Sequence, residues 1–306
     1  MSEPLYTRYR PQKWGEVIGQ DVCIEALQAL LERGSTHSFL LTGPYGCGKT
    51  TIGRLIAQEL GADMSYSFIE VNAGNDRGIE TIRNITNNIK SPPMIGSALV
   101  YLIDEAHRIT KDASEALLKP MEECPKWAYF ILATSEPAKI PANLKQRCTH
   151  FPVTYLKSFD IMKVLKKVNT DEELDVPREV LNKVAELAEG SPRQALVLLE
   201  QVSVLDSSDK MMELLSAFYG QEEKVGHFCQ ALLSKDFGAA KKALAGLSED
   251  AEAIRRGVLG YMGKVIENGA TAKADVAASI FMDFAQHQYM GKPALIWSAY
   301  MVCRDV

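Results

Sequence analysis

Gly43-Pro44-Tyr45-Gly46-Cys47-Gly48-Lys49-Thr50 fits the pattern G-x-x-x-x-G-K-[ST]. Glycines at this spacing let a loop curl so that successive backbone N–H groups point inward and cradle phosphates. Gly46, Cys47 and Gly48 would then meet a triphosphate through their amides. Lys49 would neutralise its β/γ oxygens, Thr50 would offer a hydroxyl to Mg²⁺, and Thr51 follows in the same set. The other reading of such a segment is a glycine-rich turn before a helix. Its position between a predicted strand and a predicted helix favours the phosphate loop.

A second group lies further on. Leu99-Val100-Tyr101-Leu102-Ile103-Asp104-Glu105 is an apolar run that ends in two carboxylates. At the end of a buried strand, Asp104 can hold a metal while Glu105 polarises an attacking water. Acids also favour helix N-termini, but downstream of a phosphate loop the catalytic reading is preferred. Asp104-Glu105-Ala106-His107 also spells the box of a helicase class that needs two tandem motor domains; this chain is too short for two, and His107 reads as a surface or packing histidine. Arg193 follows Ser191-Pro192, an N-cap with Pro at the first helical position. A cation in a first turn opposes the helix dipole, and a bound phosphate would remove the conflict. Arg147, between a short helix and a strand, reads on its own as a solvated charge.

The elements that must position these groups follow from periodicity. Strands are predicted at 39–41, 68–71, 99–103 and 128–133, with a short fifth at 149–153. Helices are predicted at 22–33, 49–60, 79–89 and 112–123, with Gly34 as a C-terminal cap. Strands alternating with helices imply an α/β domain with a mostly parallel sheet. From about residue 157 the strand signals stop, and 158–168, 177–189 and 192–204 read as helices. Ser207-Ser208-Asp209 reads as a polar joint. The remainder reads as helical, with Gly220, Gly238, Gly246 and Gly269 among the breaks. The division is 1–156, 157–208 and 209–306.

The 306 residues suffice for two or three domains, and a hydrophobic content of 46% with 24% charged residues excludes a disordered or fibrous chain. The net charge of −5 argues against a surface coated in basic groups, though not against nucleic acid held locally. Six cysteines form no C-x-x-C pair, which fits reduced thiols in a cytoplasmic setting. No apolar run approaches the length of a membrane-spanning helix.

These motifs together resemble the clamp-loader ATPases of the AAA+ class, over about residues 5–205. Arg8-Tyr9-Arg10-Pro11 and Val17-Ile18-Gly19-Gln20 match the N-terminal adenine-pocket segment. Val71-Asn72-Ala73-Gly74-Asn75-Asp76-Arg77-Gly78-Ile79 is similar to a replication factor C signature. Ala116-Leu117-Leu118-Lys119, Met121-Glu122-Glu123 and Leu132-Ala133-Thr134-Ser135 look more like bacterial polymerase III gamma/tau. The resemblance implies an AAA+ P-loop domain with a parallel sheet, a helical lid and an all-α C-terminal collar. It implies an ATP- and Mg²⁺-dependent hydrolase. Its subunits would form a pentameric ring that opens a sliding clamp and places it on primer–template DNA, in a bacterial cell or phage-infected host.

By the same resemblance, Tyr9, Val17 and Ile18 line the adenine pocket and Arg8 flanks it. Glu105 activates water, and Asn72 holds that glutamate inactive until DNA binds. Ser135, or Thr134 beside it, is sensor 1. Arg147 is an arginine finger acting on a neighbouring subunit, and Arg193 is sensor 2. Gln146 before Arg147, and Gly74-Asn75, depart from the family pattern. The absence of a four-cysteine zinc module tilts the comparison toward phage or replication factor C relatives. Arg77, Arg83, Lys90 and Arg108 are candidate DNA contacts. The loop Ser91-Pro92-Pro93-Met94-Ile95-Gly96 reads as a buried connector in preference to a clamp-touching edge. Two rivals remain: another AAA+ motor for fork recombination or branch migration, and a non-catalytic, stator-like subunit.

Overall fold

The computed structural model describes residues 3–75, 78–247, 250–268, 271–286 and 291–304. The chain divides into two compact units, Met1–Ser208 and Asp209–Val306.

The first unit opens with a short helix α1 (Leu5–Arg8) and α2 (Asp21–Arg33). It continues through β1 (Ser38–Thr42), α3 (Lys49–Glu59), β2 (Phe68–Asn72), α4 (Ile79–Asn88), β3 (Leu99–Asp104), α5 (Lys111–Glu122), β4 (Ala128–Thr134), α6 (Ala142–Lys145) and β5 (Thr149–Pro152). Three further helices follow: α7 (Ser158–Asp171), α8 (Arg178–Leu187) and α9 (Pro192–Val202). The strands form one sheet in the order β2-β3-β4-β1-β5, and every neighbouring pair is parallel.

Alternation along the strands explains why the sheet is covered on both faces. Leu40, Tyr101, Ile103, Phe130 and Leu132 point to one side, where Ile82 and Ile85 of α4 and Leu117 of α5 meet them. Phe39, Leu41, Val100, Leu102, Ile131 and Ala133 point to the other, against Leu27 of α2 and Ile52 and Ile56 of α3. The spacing of the isoleucines in α4 is therefore a core stripe. Helix boundaries follow local chemistry. Gly34 caps α2 in the left-handed conformation, with φ 59°. Thr110 Oγ1 accepts from Ala113 N–H at the start of α5, and Ser191 Oγ accepts from Gln194 N–H at the start of α9.

The order of the strands positions the site. The chain leaves β1, passes over β4 and β3 to build β2, and returns through β3 and β4. The carboxyl ends of β1, β4 and β3 therefore lie side by side, and that end of a parallel sheet is where ligands bind.

The second unit is helical: α10 (Ser208–Leu233), α11 (Phe237–Ala245), α12 (Ala251–Asn268), α13 (Thr271–Gln286) and α14 (Lys292–Arg304). Its core gathers Phe228, Leu232, Ile254, Val258, Ile280, Phe284 and Leu295, and the rings of Phe228 and Phe284 meet edge to face at 6.3 Å.

Several local expectations change. Ser208 and Asp209 begin a helix where a joint is expected. Gly220 lies inside α10, because an interior glycine costs only about 1 kcal/mol and helix packing outweighs that, whereas Gly238 stands in the first turn of α11, just after the break at 234–236. Gly246 does end α11, and Gly269 lies outside the described residues. The loop at 91–96 is not a buried connector: Met94 is fully exposed and Ile95 half-exposed. Among the described residues, no helix is long and apolar enough to cross a membrane.

Candidate functional site

The loop between β1 and α3 curls as its glycines permit. Gly43, Gly46 and Gly48 have φ of 148°, 72° and 100°, a region costly for side chains with a Cβ. Two of them are also close-packed. A Cβ on Gly43 would lie 1.9 Å from the Val153 carbonyl oxygen, and one on Gly46 would lie 2.3 Å from Ser191 Oγ. The second contact brings the loop against the N-terminus of α9, which carries Arg193.

Lys49 is buried, and its ammonium donates to the carbonyls of Gly43 and Pro44, each at 2.8 Å. Burial lowers its pKa, while the charges of Asp104 and Glu105 oppose that shift. Thr50 Oγ1 donates to Asp104 Oδ2 at 2.8 Å. A hydroxyl and a carboxylate side by side are hard oxygen donors, a set that suits Mg²⁺. Cys47 is buried, its thiol pushed up by burial, so it serves the loop through its backbone and not as a nucleophile.

Glu105 follows Asp104 in a left-handed conformation, φ 53° and ψ 40°. That conformation is rare for a non-glycine residue, and such strain gathers at functional positions. Its Oε2 accepts from the Tyr45 hydroxyl at 3.2 Å and lies 3.4 Å from His107 Nδ1. The expected surface or packing role of His107 is thus incomplete. Its side chain is only 3% exposed, its Nδ1 is 3.0 Å from Thr134 Oγ1, and its Nε2 is 3.1 Å from Glu136 Oε1. Thr134 Oγ1 also accepts from Glu136 N–H. The neighbouring Ser135 Oγ is buried with no hydrogen-bond partner, and neither Ser135 nor Thr134 lines the cavity described below.

Asn72 sits opposite Asp104 in the β2–β3 register. Its Oδ1 is taken by Gly74 N–H at 2.8 Å, so in this structure it turns its own loop and does not hold Glu105. Arg77 lies outside the described residues, and Arg83, Lys90 and Arg108 are exposed.

One cavity of about 440 Å³ joins the groups. Arg8, Tyr9, Val17 and Ile18 line it together with Gly46, Cys47, Gly48, Lys49, Thr50, Thr51, Asp104, Glu105 and Arg193. Apolar Val164 and Val168 of α7 and Leu196 of α9 close one side. Arg193 stacks on the Tyr6 ring, 4.8 Å from its centroid. Arg8 pairs with Glu172 at 2.8 and 2.9 Å, and the Tyr9 hydroxyl donates to the same carboxylate at 2.7 Å. The Tyr9 phenol is pushed up to about 12, first by desolvation and then by Glu172. The Glu172 carboxyl is lowered, first by the hydrogen bond from Tyr9 and then by that from Arg8. Arg147 is not among the residues lining the cavity. It pairs with Glu122, donates to the Asn143 carbonyl at 3.1 Å, and keeps a buried Nε with no partner.

Tyr6, Tyr45, His107, Glu122 and Glu172 are the site's neighbours that sequence reasoning missed. Tyr45 was legible only as a variable position of the loop motif, and no local signal marks Glu172.

The family model of the ATPases associated with various cellular activities matches residues 39–154. This stretch is an AAA domain. It spans the sheet from β1 to β5 and holds the phosphate loop, Asp104, Glu105, Thr134, Ser135 and Arg147.

Around the AAA domain, the chain is 34% identical over 220 residues to the DNA polymerase III subunit tau of Bacillus subtilis, covering 65% of this chain and 39% of that protein. It is 34% identical over 226 residues to the DNA polymerase III subunit gamma of Buchnera aphidicola, covering 67% and 62%. It is 35% identical over 207 residues to the replication factor C small subunit of Methanothermobacter thermautotrophicus, covering 67% and 64%. The chain thus spans 39–64% of the length of these curated relatives. The RuvB Holliday junction branch migration motor of Thermotoga maritima superposes with a TM-score of 0.57 at 20% identity, over 71% of this chain and 78% of that one. At that identity the likeness is one of fold. The AAA domain and the polymerase III and replication factor C relatives together support the resemblance to clamp-loader AAA+ ATPases.

Proposed function

We propose that the chain is an ATP-hydrolysing clamp-loader subunit. The observation that carries this reading is the single cavity ringed by the phosphate loop, the Asp104–Glu105 pair and Arg193, with Arg147 apart from it. ATP lies with its base against Val17, Ile18, Val164 and Val168 and its phosphates on the loop amides. Lys49 exchanges its two carbonyl partners for phosphate oxygens. Thr50 and Asp104 hold Mg²⁺, which neutralises charge on the phosphates when bound.

Glu105 orients and deprotonates the attacking water. Ser135, or Thr134 through His107, senses the γ-phosphate. Arg193 reads it from the lid, residues 157–208, through a first-turn cation that phosphate stabilises. Arg147 acts as a finger in the site of a neighbouring subunit, and residues 209–306 form the collar of a ring, taken to be pentameric. Asn72 is the latch that exchanges Gly74 for Glu105 when DNA is absent. The exposed Met94 and Ile95 favour the clamp edge for the 91–96 loop, and Arg83, Lys90 and Arg108 offer cations to primer–template DNA. Six free cysteines fit a cytoplasmic setting.

The test is ATP turnover by the full chain with candidate partner subunits, with and without a sliding clamp. Turnover raised by clamp and primed DNA, and lost in Lys49→Ala together with ATP binding, supports the reading. DNA stimulation that ignores the clamp points instead to a fork or branch-migration motor. No turnover in any assembly points to a stator-like subunit.

A further inference from the structure

We propose that Tyr45 is a positioning residue for Glu105, an assignment that rests on reading Glu105 as the base that activates water. The Tyr45 hydroxyl donates to Glu105 Oε2 at 3.2 Å, although the two residues are 60 apart in the chain. His107 Nδ1 approaches the same oxygen at 3.4 Å from a nearly buried imidazole. Both contacts fall on Oε2, and among the described residues Oε1 receives no hydrogen bond. One carboxylate oxygen is therefore anchored and the other is left to accept a proton.

The anchor belongs to the phosphate loop itself. Tyr45 lies two residues after Gly43, and its ring sits under the Lys49 ammonium, 5.6 Å from the centroid. The loop that cradles the phosphates thereby also sets the orientation of the base, so water and γ-phosphorus are registered in one frame. The His107 side ties that frame to Thr134 at the end of β4. In the step itself, a water O–H bond breaks toward Oε1 of Glu105 and the oxygen bonds to the γ-phosphorus. The bond from that phosphorus to the β–γ bridging oxygen breaks, and ADP departs. Nothing is oxidised or reduced.

Tyr45 is more than half exposed, so Tyr45→Phe removes one hydroxyl and leaves the core untouched. Single-turnover and steady-state hydrolysis by the full chain, in the same assembly as wild type, reads the effect. The expected result is a fall in kcat of about tenfold with KM and ATP-analogue affinity unchanged, the signature of lost orientation. In a Glu105→Gln background, Tyr45→Phe should bring no further loss, because the group it orients is gone. Wild-type kcat in Tyr45→Phe, a loss that appears in KM, or an equal loss in the Glu105→Gln background overturns the inference and leaves the function of Glu105 standing. Wild-type turnover in Glu105→Gln alone removes the base assignment and this inference with it.

Discussion

Thr50 and Asp104, separated by 54 residues in the chain, share a 2.8 Å hydrogen bond at the mouth of the phosphate loop. The bond exists because β1 and β3 flank β4 in a parallel sheet, so the residues that follow β1 and end β3 emerge on the same edge. The pair predicts a metal-linked phenotype. Asp104→Asn should lower Mg²⁺-dependent turnover by at least about a hundredfold. Nucleotide binding measured in the presence of a chelator should stay near wild type. Equal losses with and without Mg²⁺ would show that the carboxylate acts on the fold and not on the ion.

The loop glycines should rank by what surrounds them. Gly43→Ala places a Cβ against backbone, Gly46→Ala against the Ser191 side chain, and Gly48→Ala in open space. All three carry positive φ, so each pays about 1–3 kcal/mol in strain. Clashes add to the first two, and only the first meets an atom that cannot rotate away. Urea midpoints should therefore fall most for Gly43→Ala, less for Gly46→Ala and least for Gly48→Ala. Any other order contradicts the packing of Val153 and α9 on the loop.

Arg147 should separate binding from chemistry. It does not line its own cavity, so Arg147→Ala should leave ATP-analogue affinity unchanged in the isolated chain. A finger acting across an interface is worth about 10³–10⁵ in rate, and turnover by the assembled ring should fall accordingly. Full turnover from Arg147→Ala assemblies would assign the residue to its pairing with Glu122 alone.

The contact of Tyr9 and Arg8 with Glu172 predicts two pH limbs in stability. Glu172 has a lowered carboxyl pKa in the folded state. The stability it contributes is therefore present above the ordinary value of 4.5 and is lost as pH falls below it. Tyr9 is raised from 10.0 to about 12, so the folded state holds that proton more tightly, and its contribution fades as pH rises between those values. Thermal unfolding of wild type should exceed that of Tyr9→Phe by a constant margin between about pH 5 and about pH 9, and the margin should narrow at either end. A margin that ignores pH would mean the ring packs there without its hydroxyl mattering.

Much of the AAA domain is legible in the sequence. Continuous apolar runs such as Leu99–Ile103 mark strands covered on both faces, and the isoleucine spacing of α4 marks one helix face, because both periods are local geometry. The loop motif was equally plain, since phosphate binding by backbone amides needs glycines at set positions. Local signals were weaker where composition opposes geometry. Gly220 suggests a break, yet α10 runs through it, because tertiary burial outweighs a propensity of this size. The apolar Met94 and Ile95 make the 91–96 loop read as a buried connector, and only its place between α4 and β3 leaves them in solvent.

The chemistry available to this protein was written in residue types and spacing: a phosphate loop, a strand ending in two acids, an arginine after Ser191-Pro192. Which of them meet was decided by the strand order, which brings β1, β3 and β4 side by side and leaves Arg147 outside the cavity. The same order hands Glu105 to Tyr45 and His107 while Asn72 turns back on Gly74. Periodicity is a property of neighbouring residues and can be read along the chain. Hydrogen bonds between Tyr9 and Glu172, or Tyr45 and Glu105, depend on chain segments whose separation only folding removes.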